Sequence, residues 1–74
     1  MPNEIHIQTD FIMLGQFLKF ANIVDSGGMV KIFLQENEVL VNGEVENRRG
    51  RKLKNEDLIE IENVGTFKIV KSTK

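Results

Sequence analysis

The chain has 74 residues, 28% of them charged and 41% hydrophobic, with a net charge of −1 and no cysteine. A chain this short buries only about 60% of its unfolded surface, which fits one small domain, 1–74, with a thin core. A disulfide framework and a thiolate metal site are excluded, and a lone histidine excludes a multi-histidine site.

The N-terminus, "MPNEIHIQTD", has neither the basic lead nor the apolar stretch of a signal peptide. No apolar run in the chain approaches the ~20 residues that span a bilayer. The expectation is a soluble protein of a reducing cytoplasm, with no membrane partner. Within "EIHIQT", Ile5 and Ile7 alternate with polar neighbours, which predicts a short strand with His6 on the opposite, solvent-facing side. Thr9 and Asp10 offer caps for a helix that carries Leu14, Phe17, Leu18 and Ala21 on one face and ends near Asn22. Gln16 and Lys19 lie off that stripe, and Ile23 and Val24 pack in the connection.

"DSGG" signals a second helix start, with Ser26 as the cap and Gly27 and Gly28 in the exposed first turn. Val30, Phe33 and Leu34 form its apolar stripe, with Met29 at the edge, and Asn37 is a candidate left-handed terminator. Lys31 sits off the stripe near the helix start. Val39 and Val41 alternate before Asn42-Gly43, a strong short hairpin signal, and Val45 resumes the pattern. "KNED" predicts another turn, and "LIEIE" and "TFKIV" are two strands joined by a turn at Asn63 to Gly65. The order is strand, helix, helix, hairpin, basic loop, strand, strand. It defines an α+β fold, with two helices on one face of an antiparallel sheet of about four to five strands.

The charge is unevenly spread. Arg48, Arg49, Arg51, Lys52 and Lys54 are five of the ten basic residues, and the five left elsewhere face eleven acids. Local fields follow local charge, so the small net charge does not argue against an anionic partner. Arginine forks bind phosphate oxygens bidentately, and Gly50 makes the run adaptable. A solvated turn balanced by Glu44, Glu46, Glu56 and Asp57 is the plainer reading. At Ser26 to Met29, unpaired backbone N–H groups and glycines suit a phosphate, with Lys31 beside it, although a cap and a turn alone need the same residues.

From Ser26 to Gly43 the sequence "SGGMVKIFLQENEVLVNG" resembles the core motif of the S-four domain, the RNA-binding module named after ribosomal small-subunit protein four. That motif runs Ser-Arg, a small and a basic residue, an apolar helix, a Gly, and Val-x-Val-Asn-Gly. Ser26 matches the cap, Lys31 the basic position, and Val39, Val41, Asn42 and Gly43 the hairpin. "NEDLIEI" stands in place of the family's Gly-Asp-x-Ile turn and strand, and "LGQFLKFANIVDSGG" in place of its first helix, with the pair Leu18-Lys19. The likeness covers residues 11–62. Together with "VNGEVENRRGRKL" it is similar to the stand-alone bacterial subfamily of the YaaA type. Three positions depart from the pattern. Gly27 stands where many members carry arginine, Asn37 replaces a helix-ending Gly, and Glu56 replaces the turn Gly.

The resemblance implies the family's αL motif and RNA binding, with contacts from Lys19, Ser26, Gly28, Lys31, Asn42, Arg48, Arg49, Arg51, Lys52 and Lys54. There is no Trp or Tyr, and no Phe in the basic segment. Phe17, Phe33, Phe67 and Phe20 are assigned to core or strand positions, and Phe11 is left unassigned. Readers of single strands need exposed aromatic platforms, so the expected ligand is structured RNA, ribosomal or transfer, bound through phosphates and shape. Ribosomal particles, ribosome assembly and ribosome-associated quality control follow as expectations from the resemblance. No Walker loop, serine elbow or cofactor-ligand set is present, so no catalysis, cofactor or small-molecule substrate is expected. The rival reading is a protein-interaction adaptor whose basic loop docks an acidic protein surface.

Overall fold

The structure is a computed structural model and describes residues 2–72. Its elements are β1 (Asn3–Ile7), β2 (Phe11–Met13), α1 (Leu14–Phe20), α2 (Gly27–Glu36), β3 (Val39–Val41), β4 (Glu44–Val45), β5 (Lys52–Lys54), β6 (Leu58–Ile61) and β7 (Gly65–Lys71). The fold is α+β. Five strands form one sheet in the order β1-β7-β6-β3-β4, and β2 and β5 form a separate two-stranded antiparallel sheet. Among the described residues no helix is long and apolar enough to cross a membrane.

Alternation in the strands builds the core. Val39, Val41, Ile59, Ile61, Phe67 and Ile69 all turn inward and are buried, as a half-buried sheet with period two requires. Leu14, Phe17 and Leu18 of α1 and Val30 and Leu34 of α2 close over them. Phe17 meets Phe67 edge to face, with ring centroids 5.4 Å apart, which locks α1 to β7. Asn42 and Gly43 have φ of 53° and 87°, the mirror-image turn that suits the twist of a two-residue hairpin.

Three features differ from the sequence expectations. First, β1 pairs with β7 in parallel, Ile5 opposite Ile69, so the large sheet is mixed rather than purely antiparallel. The pairing joins the two ends of the chain, which local patterning does not encode.

Second, Thr9 and Asp10 do not cap α1. A three-residue strand intervenes, and Met13 occupies the N-cap position with extended backbone. Thr9 instead donates its hydroxyl to the carbonyl of Phe11 at 2.7 Å, and Asp10 pairs with Lys71 at 2.6 Å.

Third, Asn37 is not left-handed. Its backbone is extended, and its side-chain amide donates to the Phe33 carbonyl at 3.1 Å, closing the helix through the side chain. The left-handed residue after a helix is Asn22, φ 62°, following α1. Glu56 also has positive φ, 74°, as expected where a turn glycine has been replaced.

Candidate functional site

The basic segment is less of a loop than its composition suggests. Lys52–Lys54 is β5, with Leu53 fully buried between two exposed lysines. Ahead of it, Arg48 to Arg51 form a turn in which the Arg51 N–H donates to the Arg48 carbonyl at 3.2 Å. The turn is fastened to the start of α1. The N–H groups of Leu14 and Gly15 donate to the carbonyls of Arg51 and Arg49 at 2.8 and 2.9 Å. Two donors that a helix start leaves unpaired are thereby satisfied by the basic turn. Gly15 permits the approach, because a Cβ there would stand 3.3 Å from the Arg49 Cβ.

Glu46 organises this turn from beneath. It is the one buried charged side chain among the described residues, 6% exposed. Its carboxylate accepts from the Arg48 backbone N–H at 3.0 Å, from Arg48 Nε at 2.9 Å and Nη2 at 3.2 Å, and from Arg51 Nη1 at 2.9 Å. Hydrogen bonds from Arg48 hold its carboxyl down to about 2, against the opposing effect of burial. Counting Glu46 among balancing surface acids misses this role. The signal in the sequence is its spacing, an acid two residues before one arginine and five before another, after a strand that delivers it inward.

The consequence for binding is a division of labour among the cations. Arg48 and Arg51 are committed to Glu46, whereas Lys19, Lys31, Arg49, Lys52 and Lys54 have no carboxylate within ion-pair distance among the described residues. Arg49 projects between two concavities. One also presents Lys19 of α1 with Gly27, Val30 and Gly50; the other presents Lys31 of α2 with Leu34, Gln35 and Asn47. A third, reached across Gly50, is lined by Arg48, Arg51, Lys52, Lys54 and Asp57. Three separate elements thus deliver unpaired cations to one continuous surface.

The remaining residues singled out in the sequence take different places. Ser26 occupies the N-cap of α2 with extended backbone, but its hydroxyl makes no capping bond. Gly28 follows in the exposed first turn, and neither lines the three concavities. Gly27 lines the first, and a Cβ there would meet nothing within 4 Å, so a side chain can start from this position without a clash. Asn42, exposed at the hairpin turn, reaches across to the neighbouring segment. Its amide donates to Asp57 at 3.1 Å and accepts from the Leu58 N–H at 3.0 Å, tying the hairpin to the start of β6.

The aromatic expectation is corrected here. Phe20, assigned to a core or strand position, lies at the end of α1 and is 60% exposed, and the unassigned Phe11 is 36% exposed. Phe11 lies opposite Lys54 in the β2–β5 ribbon, and Lys52 Nζ stands 4.8 Å from its ring centroid. An aromatic ring therefore does adjoin the basic segment, in space rather than in sequence.

A helix pair packed on a hairpin-bearing sheet, with a basic surface at the junction, is the architecture of S4 domains, and the S4 domain family model matches residues 5–70. The chain belongs to that family. It is 59% identical over 70 residues to the protein called "Probable ribosome maturation protein RlbA" of Bacillus subtilis (strain 168), covering 95% of this chain and 99% of that protein.

Proposed function

We propose that this protein is a non-catalytic RNA-binding protein of the bacterial cytoplasm. It holds structured RNA, ribosomal before transfer RNA, by its phosphates, and it acts on ribosomal particles during their maturation. The observation that carries this reading is the convergence of Lys19, Lys31 and Arg49 on one surface without acidic partners, continuous with Lys52 and Lys54. Exposed charges left unpaired on a chain of net −1 favour a polyanion, and concavities of this kind follow a backbone rather than read base edges. The name of the Bacillus relative supports placing that RNA in a maturing ribosome.

Arg48 and Arg51 enter this reading as supports that also face outward, since the Arg48 side chain is 75% exposed while bonded to Glu46. Ser26, Gly28 and the first turn of α2 flank the phosphate track. Asn42 shapes it by fixing the hairpin. Crosslinking in cells with sequencing of the recovered RNA tests the assignment. Ribosomal RNA should be enriched, and recovery of ribosomal particles on the tagged protein should be lost on nuclease treatment. Nuclease-resistant capture of an acidic protein, with no RNA crosslinked, would establish the adaptor instead.

A further inference from the structure

The outer face of the β2–β5 ribbon sets apolar side chains beside two of the cations assigned to phosphate binding. Strand alternation turns Ile12 and Leu53 inward and leaves Phe11, Met13, Lys52 and Lys54 outward. Phe11 and Met13 are 36% and 39% exposed. Other large apolar side chains are exposed elsewhere, Phe20 and Val45 among them, but Phe11 is the exposed ring that the ribbon register sets beside two lysines.

We propose that Phe11 is a stacking platform for one unpaired nucleobase of the bound RNA, with Lys52 and Lys54 taking the phosphates on either side. The proposal rests on the RNA-binding reading and names the RNA feature that this face selects: a bulged or looped-out nucleotide beside a helix. Charge decides the occupant. A ring ringed by lysines suits a ligand that joins a π-face to anionic charge every nucleotide, and an apolar protein surface would leave both ammonium groups unpaired. In the free protein Lys52 Nζ lies over the ring at 4.8 Å. An arriving base displaces it, because base stacking is stronger than an exposed cation–π contact. The flexible lysine stem then carries the ammonium to a phosphate, toward the concavity that Lys52 and Lys54 share with Arg48 and Arg51.

The test uses two labelled RNA duplexes of one sequence, one fully paired and one with a single-nucleotide bulge. The parent should prefer the bulged duplex. Phe11→Leu, with its fold checked by circular dichroism, should lose about 5- to 100-fold on the bulged RNA and keep its affinity for the paired one. Phe11→Trp should retain the preference, and its indole emission should be quenched by the bulged RNA. Salt-dependent binding of the paired duplex with no preference for the bulge overturns the platform and leaves phosphate binding standing. So does an equal loss on both RNAs in Phe11→Leu. Absence of binding to either RNA by the parent overturns both readings.

Discussion

Replacing Glu46 with glutamine tests whether the basic surface is ordered from below. The carboxyl sits at about 2 in the folded protein against an ordinary 4.5. At about 1.4 kcal/mol per pH unit the difference corresponds to about 3 kcal/mol as an upper bound. Screening lowers it, because the Arg48 side chain is 75% exposed and that of Arg51 32% exposed. An effect of about 2 kcal/mol at pH 7 is expected for Glu46→Gln, a drop in Tm of about 10 °C in a domain of this size.

The pH dependence follows from the sign of the shift. A carboxylate stabilised by folding contributes fully above its unfolded value of 4.5, and the contribution fades as pH falls toward the folded value of about 2. The gap between parent and Glu46→Gln should therefore be widest above pH 5 and close progressively below it. Urea denaturation at pH 7, 4 and 2.5 measures this directly. A cost below about 0.5 kcal/mol at pH 7, or a gap that does not change with pH, would refute the role given to Glu46.

Other perturbations separate structure from binding. Glu56→Gly relieves a positive φ at a turn and should stabilise the domain by about 0.5–1 kcal/mol, read as a rise in Tm. Asn42→Ala loses both bonds to the β6 start and a residue tolerant of left-handed backbone, so about 2 kcal/mol should be lost in denaturant melts. Below its Tm that variant should still bind RNA, with a smaller loss of affinity by fluorescence anisotropy than Lys19→Gln or Arg49→Gln. Gly27→Arg fills open space beside Lys19 and Arg49 and should raise RNA affinity several-fold at low salt with little change in Tm.

Local patterns carried much of the fold. The faces of α1 and α2 follow from Leu14, Phe17, Leu18, Val30 and Leu34, and the hairpin from Asn42-Gly43. What local patterns could not carry was pairing between distant segments. Phe11–Met13 and Lys52–Lys54 are each three residues long, too short for alternation to announce a strand, and each is completed only by the other. The parallel partnership of β1 with β7 is equally non-local.

The candidate site divides the same way. The concentration of charge at 48–54 and Lys31 beside the second helix start were plain in the sequence, and the resemblance added Lys19. Which cations are unpaired depended on the burial of Glu46, and burial of an acid runs against the expectation for its residue type. The adjacency of Phe11 to Lys52 depended on the ribbon register. Both escape a reading that takes residues by type and spacing.

In the proposed complex, unpaired cations from three elements hold RNA phosphates together. Equilibrium binding of a ribosomal RNA fragment across a salt series measures it most directly, in the parent and in a Lys19→Gln, Lys31→Gln, Arg49→Gln triple variant. Five neutralised phosphates predict a slope of log affinity against log salt of about −3 to −5, and the triple variant should be shallower by about 2 to 3 with its fold intact. A parent slope near zero, or a triple variant with the slope and affinity of the parent, would show that these cations do not hold the RNA.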